Sequence, residues 1–401
     1  MIGYLRRLAS KNKYFESLVY CGYLLYEKFQ SLIFLLFRVF PIDKNKVVFC
    51  AMQGSRYGDN PYYISEVLRN SEKNYDIVWL LNENVDDPVD AGIRRVKHGS
   101  VAAIKELATA CVWVDCNMKY SGFLKRKGQK YIQTWHGSYG LKKIGFDLGE
   151  TMPLIDRRNF IYNAKNEDIM VSNSKRTTEI YQQAFRYRGA IIEQGSPRND
   201  MLLGDLSQYR EKVYKYFDLM NDTHIALYAP TYRNDYKTDD MRLDFDRLCM
   251  SLEKYYGGKW AVLVRLHYKN IEDAKEFINY SDQVKNATYY GVMQELLAVS
   301  DILITDYSSC MFDYATTRKP CFIYASDLKQ YINDRGNYFS MDELPFPLAE
   351  NNDQLEEIIR DFDEKKYAQG LEGLFARVGL NETGHASEAV ADYIIDWMDN
   401  R

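Results

Sequence analysis

Metal-binding spacing is the first thing this sequence lacks. Its five histidines form no H-E-x-x-H pattern and its seven cysteines form no C-x-x-C pair, so neither a structural nor a catalytic metal is expected. Cys21, Cys50, Cys111, Cys116, Cys249, Cys310 and Cys321 sit mostly in apolar runs, which reads as buried thiols in a reducing compartment rather than disulfides. No strong charge bias is present: the formal net charge is −4, and without a basic field nucleic acid is excluded as a partner. In the amino-terminal segment the longest clean apolar run, Leu32 to Phe37, is far too short to span a bilayer. No small-residue cleavage site succeeds it, so a secretory signal is not expected. Internal repeats and low-complexity segments are missing as well.

What is present is a regular alternation of apolar strands and amphipathic helices. At 401 residues the chain exceeds one ordinary core and implies two domains with extras. Residues 1–45 stand apart. Arg6, Arg7, Lys11 and Lys13 precede an aromatic and leucine-rich segment, Leu18 to Phe40, interrupted by Glu27, Lys28 and Gln30. That composition suits helices lying in the cytoplasmic membrane interface, or equally a pair of helices packed on the first domain. From Lys46, strands are expected at Val47–Cys50, Ile77–Leu81, Cys111–Val114, Tyr131–Trp135 and Asp168–Ser172. Helices are expected from Pro61 to Arg69, Ser100 to Ala110 and Ser174 to Phe185. The pattern restarts after a hinge near 204–222, with a helix at Leu206–Phe217 and strands at Ile225–Ala229, Ala261–Arg265, Thr288–Tyr290, Ile302–Thr305 and Cys321–Tyr324. Strands alternating with helices predict doubly wound parallel sheets. The expected divisions are 46–205 and 206–385, with a helix in 386–401 that crosses back onto the first domain.

In open parallel sheets ligands lie beyond the carboxyl ends of the strands. The residues there form a short roster: His136, Gly137 and Ser138 in the first half, then Pro230, Thr231, Tyr232 and Arg233, Arg265 and His267, and Ser308 and Ser309 in the second. The last pair comes after the Ile302–Thr305 strand and precedes the helix that begins at Met311-Phe312, where turn and N-cap chemistry leave free N–H groups for an anion. Histidines, arginines and hydroxyls at four such strand ends suit a diphosphate.

Five segments then carry a resemblance. Gln133-Thr134-Trp135-His136-Gly137 with Leu141-Lys142-Lys143-Ile144-Gly145, Gly195-Ser196-Pro197-Arg198-Asn199-Asp200, Tyr228-Ala229-Pro230-Thr231-Tyr232-Arg233, Arg265-Leu266-His267, and Ser300 to Tyr314 resemble, in order, the signatures of the CDP-glycerol glycerophosphotransferase (teichoic acid) family. The resemblance covers roughly residues 46–395. It departs from the family at Ser138-Tyr139-Gly140, where Thr-Pro is usual, and at Tyr268, where proline is usual; both bear on the acceptor.

The resemblance implies a GT-B-like α/β fold, two Rossmann-like domains facing across a cleft, with peripheral attachment to the inner membrane face. It implies attack of an acceptor hydroxyl on the β-phosphorus of CDP-glycerol or CDP-ribitol, releasing CMP, with a lipid-linked or glycan acceptor. His136 then suits the general base and His267 a diphosphate or leaving-group contact. Arg198, Arg233 and Arg265 suit charge neutralisation, Ser308 and Ser309 a phosphate cradle, and Asp313 a donor contact. No cofactor is required. A homo-oligomer remains open, and the alternatives are a GT-B glycosyltransferase using a nucleotide sugar and a non-catalytic subunit of a polymer-assembly complex.

Overall fold

The computed structural model describes residues 13–85, 89–231, 243–266, 280–328 and 336–400. The chain divides into two compact units, one made of Met1–His136, Ile144–Arg198 and Asn381–Arg401, the other of Gly137–Lys143 and Asn199–Leu380.

In the first unit the described elements run α1 (Lys13–Phe37), β1 (Asp43–Cys50), α2 (Asp59–Arg69), β2 (Asp76–Leu81), β3 (Arg94–Lys97), α3 (Val101–Thr109), β4 (Ala110–Asp115), β5 (Lys130–Gln133), α4 (Leu154–Asn166), β6 (Ile169–Ser172), α5 (Lys175–Ala184) and β7 (Ala190–Glu193). The seven strands pair in parallel in the order β3-β2-β1-β4-β5-β6-β7. Because strand side chains alternate faces, β1 feeds two cores at once. Val47 and Phe49 pack with Ile64 and Leu68 of α2, whereas Val48 and Cys50 pack with Ile104 and Leu107 of α3. Serine caps start the helices where the sequence places them, with Ser100 Oγ accepting from the Ala103 N–H at 3.1 Å and Ser174 Oγ from the Thr177 N–H at 3.0 Å.

Within the described residues the segment 13–37 is a single helix of 25 residues; the part of the expected helical pair before Lys13 lies outside the described residues. It packs on α3 and α4 through a face that mixes polar and apolar side chains. Glu27 and Gln30 are buried beside Phe34, and Glu27 takes both of its carboxylate oxygens to Arg158, 2.6 Å from Nη2. Of the residues that read as interruptions of an apolar pattern, Glu27 and Gln30 therefore lie on the docking face with Phe34, whereas Lys28 is exposed. Leu18, Leu25, Phe29, Leu32 and Leu36 lie exposed on the other side.

The second unit contains α6 (Ser207–Phe217), β8 (Thr223–Ala229), α7 (Phe245–Tyr256), β9 (Lys259–Val264), β10 (Val284–Asn286), α8 (Met293–Val299), β11 (Ile302–Thr305), α9 (Cys310–Ala315), β12 (Cys321–Tyr324), β13 (Leu348–Ala349), α10 (Asn352–Arg360) and α11 (Glu364–Val378). Its six strands pair in parallel in the order β10-β9-β8-β11-β12-β13, the same winding as the first six strands of the other sheet. The strand expected at 288–290 lies four residues earlier, at Val284–Asn286. Buried Val284 pairs with Val262, whereas Tyr290 leaves the sheet to pack its ring 5.0 Å from that of Tyr216. The final helix, α12 (Ala386–Asp399), belongs to the first unit, where Val390, Ile394 and Met398 join the core against α2.

Candidate active site

Each sheet reverses its winding once, between β1 and β4 in the first unit and between β8 and β11 in the second. Loops diverge there and leave a crevice.

In the first unit the crevice side of β5 ends early. The sequence pattern runs on to Trp135, but Trp135 adopts φ 53°, which takes it out of the strand and into the left-handed region that bulky residues rarely occupy. Gln133 holds that kink. Its Oε1 accepts the Trp135 N–H at 2.9 Å, and its Nε2 lies within 3.2 Å of the Asn117 carbonyl, the Tyr131 hydroxyl and Glu167 Oε1. Burial, foremost, pushes the Glu167 carboxyl up to about 8. The kink delivers His136, whose ring stacks on Trp135 with centroids 4.5 Å apart. His136 Nδ1 lies 2.7 Å from the Cys116 carbonyl, just past β4. A carbonyl only accepts, so Nδ1 carries the proton and Nε2 is left as the basic nitrogen. Burial lowers the His136 pKa below the ordinary histidine value, opposed in part by that hydrogen bond and by Asp59.

Arg198 is buried, and its partners differ from those of an open phosphate clamp. Its Nη1 donates to Asp59 Oδ1 at 3.1 Å and to the His136 carbonyl at 2.9 Å. Its backbone N–H donates to Asn60 Oδ1 at 3.0 Å, while Asn60 Nδ2 donates to the Trp135 carbonyl at 3.0 Å. Asp59 and Asn60, at the start of α2, thus tie the histidine loop to the Gly195–Asp200 segment. Sequence reading missed both; the Asp-Asn-Pro start of a helix was the available signal, and it reads as an ordinary cap.

Gly145, which closes the first of the five segments, has a similarly local reason. Gly145 sits at φ 56°, and a Cβ there would come within 2.2 Å of the Ala184 carbonyl oxygen. Gly145→Ala is therefore expected to lower unfolding free energy by roughly 1–3 kcal/mol, read from urea denaturation.

In the second unit Asp306 bridges the two diverging loops. Its Oδ1 accepts the Thr231 N–H at 2.8 Å and the Tyr307 N–H at 2.6 Å, while Thr305 Oγ1 donates to the Ala229 carbonyl at 2.6 Å. Buried Pro230 and half-buried Thr231 form one lip, and Ser308 and Ser309 the other. Ser309 occupies the N-cap position of α9 but makes no side-chain capping bond, contrary to the expected cap chemistry. Its φ of −64° and ψ of −9° are already helical, not the extended conformation that capping side chains favour. Ser308 Oγ accepts weakly from the Cys310 N–H at 3.4 Å. Arg265, just past β9, is buried with Nη1 donating to the Tyr290 carbonyl at 2.5 Å. Gly137 opens the loop 137–143 that groups with this unit. Next to it, Ser138 Oγ donates to Asp313 Oδ1 at 2.7 Å, and Asn199 Nδ2 reaches the same oxygen at 3.3 Å. Asp313 is buried, so its carboxylate is a knot between loops. Arg233 and His267 lie outside the described residues. Among the described residues no group of three or more histidine, cysteine or acidic side chains could hold a metal.

The family profile described as CDP-Glycerol:Poly(glycerophosphate) glycerophosphotransferase matches residues 32–396. The chain belongs to that family. A teichoic acid poly(glycerol phosphate) polymerase of Staphylococcus epidermidis is 30% identical over 375 residues, covering 88% of this chain and 51% of the relative. One of the same name from Bacillus subtilis strain 168 is 30% identical over 404 residues, covering 97% of this chain and 53% of the relative. The chain thus spans about half the length of these two members of the glycerophosphotransferase family. A solved structure of the wall teichoic acid polymerase TagF soaked with CDPG superposes with a TM-score of 0.82 at 28% identity, covering 97% of this chain and 98% of that one.

Proposed function

We propose that this protein is an alditol-phosphate transferase of GT-B-like architecture. It moves glycerol phosphate or ribitol phosphate from a CDP-alditol to an acceptor hydroxyl, in synthesis of teichoic acid or a related surface or capsular polymer. The observation that carries the reading is the orientation of His136: with Nδ1 committed to the Cys116 carbonyl, Nε2 is the one ring nitrogen able to take a proton from an alcohol. In the proposed step, Nε2 removes the acceptor proton and the oxygen bonds to the β-phosphorus. The bond from that phosphorus to the bridging oxygen breaks, and CMP leaves with the electron pair. Phosphoryl transfer needs mainly positioning and neutralisation of charge on the non-bridging oxygens.

In this reading the Ser308 and Ser309 hydroxyls donate to the diphosphate beside Pro230 and Thr231. Arg265 supplies fixed positive charge, and Arg233 and His267 complete the donor side. Gly137, Ser138 and Asp313 shape the loop that departs from the family pattern at 138–140 and bears on the acceptor, and Arg198 positions His136. Ser308→Ala/Ser309→Ala should weaken CDP-glycerol binding about tenfold or more, since hydrogen bonds to charged groups are the strong ones; titration calorimetry showing an unaltered dissociation constant removes the cradle. The reaction itself is tested by tracking CMP release from CDP-glycerol and CDP-ribitol with a lipid-linked acceptor. Release of UDP from UDP-sugars instead would establish a glycosyltransferase.

The same reading places the protein at the cytoplasmic face of the membrane. No helix among the described residues is long and apolar enough to cross a membrane. Support comes from the outward side of α1, where Leu25 is 74% and Phe29 60% exposed. An exposed apolar stripe of that extent suits the acyl boundary of a bilayer.

A further inference from the structure

Beside α1 the first unit carries a groove that the transfer reaction leaves unused. It encloses about 340 Å³, within the range of small-ligand pockets. Of its nine lining residues three are cations, Arg157, Arg158 and Lys165, and none is a carboxylate. Arg158 is held against Glu27 and forms a fixed wall. Arg157 and Lys165 are exposed. The Arg157 guanidinium donates to the Gly149 carbonyl at a long 3.4 Å, and neither side chain has a carboxylate partner among the described residues. Along α4 the sequence Leu154, Arg157, Ile161, Lys165 repeats every three or four positions, which sets the four on one helix face. Leu154 is 39% and Ile161 43% exposed, so cations and apolar side chains alternate on a face next to the helix whose leucines point outward.

That combination selects one occupant. A free nucleotide or an acidic peptide would satisfy the cations and leave the leucines wet. A second copy docked about a two-fold axis would cover the leucines but bring the cationic groove of one copy toward that of the other, a like-charge arrangement. An anionic bilayer satisfies both, with acyl chains under the apolar stripe and phosphate at its edge.

We propose that this groove is a binding site for the phosphate of an anionic lipid headgroup, seated on Arg157 and Lys165. The proposal rests on the lipid-docking reading of α1 and adds to it a discrete polar site. It is tested by sedimenting the full-length chain with vesicles of phosphatidylcholine alone and of phosphatidylcholine with about one-third phosphatidylglycerol. Wild type is expected to bind both and to prefer the anionic vesicles. Arg157→Glu/Lys165→Glu should reduce binding to anionic vesicles about tenfold or more and leave binding to neutral ones unchanged, with Arg157→Gln/Lys165→Gln intermediate. Leu25→Asp/Leu32→Asp should abolish binding to both. If wild type sediments with neither vesicle, the docking reading falls and takes the groove with it. If wild type binds but the charge-reversed variant keeps the full anionic preference, or loses neutral binding in equal measure, the groove alone is refuted.

Discussion

Replacing His136 with alanine is expected to lower turnover on the order of a hundredfold or more while the dissociation constant of the CDP-alditol stays as it was. The asymmetry arises from where the residue sits. Its loop is built by first-unit groups, Gln133, Cys116, Asn60 and Arg198, and the proposed diphosphate contacts come from Ser308, Ser309 and Arg265. The variant therefore removes the base and leaves the donor cradle intact. The pH profile carries a second signature. Burial lowers the His136 pKa, so the neutral, proton-accepting form persists below the ordinary histidine value of about 6.5. The acid limb of kcat/KM in the wild type is expected below that value, and in His136→Ala the limb should vanish. Near-normal turnover in the alanine variant would move the base role to another group.

Arg198→Ala is expected to reduce unfolding free energy by about 3–5 kcal/mol, read from denaturant melts, because it strips a buried ion pair of one partner. The Asp59 side chain is 11% exposed and that of Arg198 5%, so the abandoned carboxylate is poorly reached by water. The His136 carbonyl loses its donor in the same stroke, and turnover should fall with stability. Arg198→Lys separates the two effects. A lysine keeps the charge near Asp59 and recovers part of the stability, but its shorter, non-planar head does not place a donor where the guanidinium Nη1 meets both acceptors. Turnover should remain low in the lysine variant. If Arg198→Lys restores turnover fully, Arg198 acts as a charge and not as a brace.

Legibility of the fold and the site in the sequence depended on whether the deciding contacts are local. Ile302–Thr305 and Cys321–Tyr324 are buried along their whole length, and strands of that kind announce themselves as short apolar runs. Arg94–Lys97 is an edge strand with three exposed residues of four, and nothing in Arg-Arg-Val-Lys marks it. Thr288–Tyr290 carried the β-branched and aromatic signal without the strand, because burial against Val262 favoured Val284. At the site, His136, Ser308, Ser309 and Arg265 stood out because each lies at or just past the carboxyl end of a strand. Asp59 and Asn60 did not, since the groups they hold lie 139 positions away in one case and 75 in the other. The left-handed turn at Trp135 was hidden for the same reason: the glutamine that enforces it is itself oriented by Glu167, 34 positions on.

The interleaved connectivity of the two units has a practical corollary for dissecting the protein. Residues 137–143 group with the later half and 381–401 with the earlier one, so no single scission of the gene yields either half whole. A fragment ending at Arg198 would open a trench where Val390, Ile394 and Met398 had filled the core. Its complement would leave Asp313 without the Ser138 hydroxyl. Limited proteolysis near residue 200 should therefore leave two nicked pieces that co-purify, not two autonomous domains.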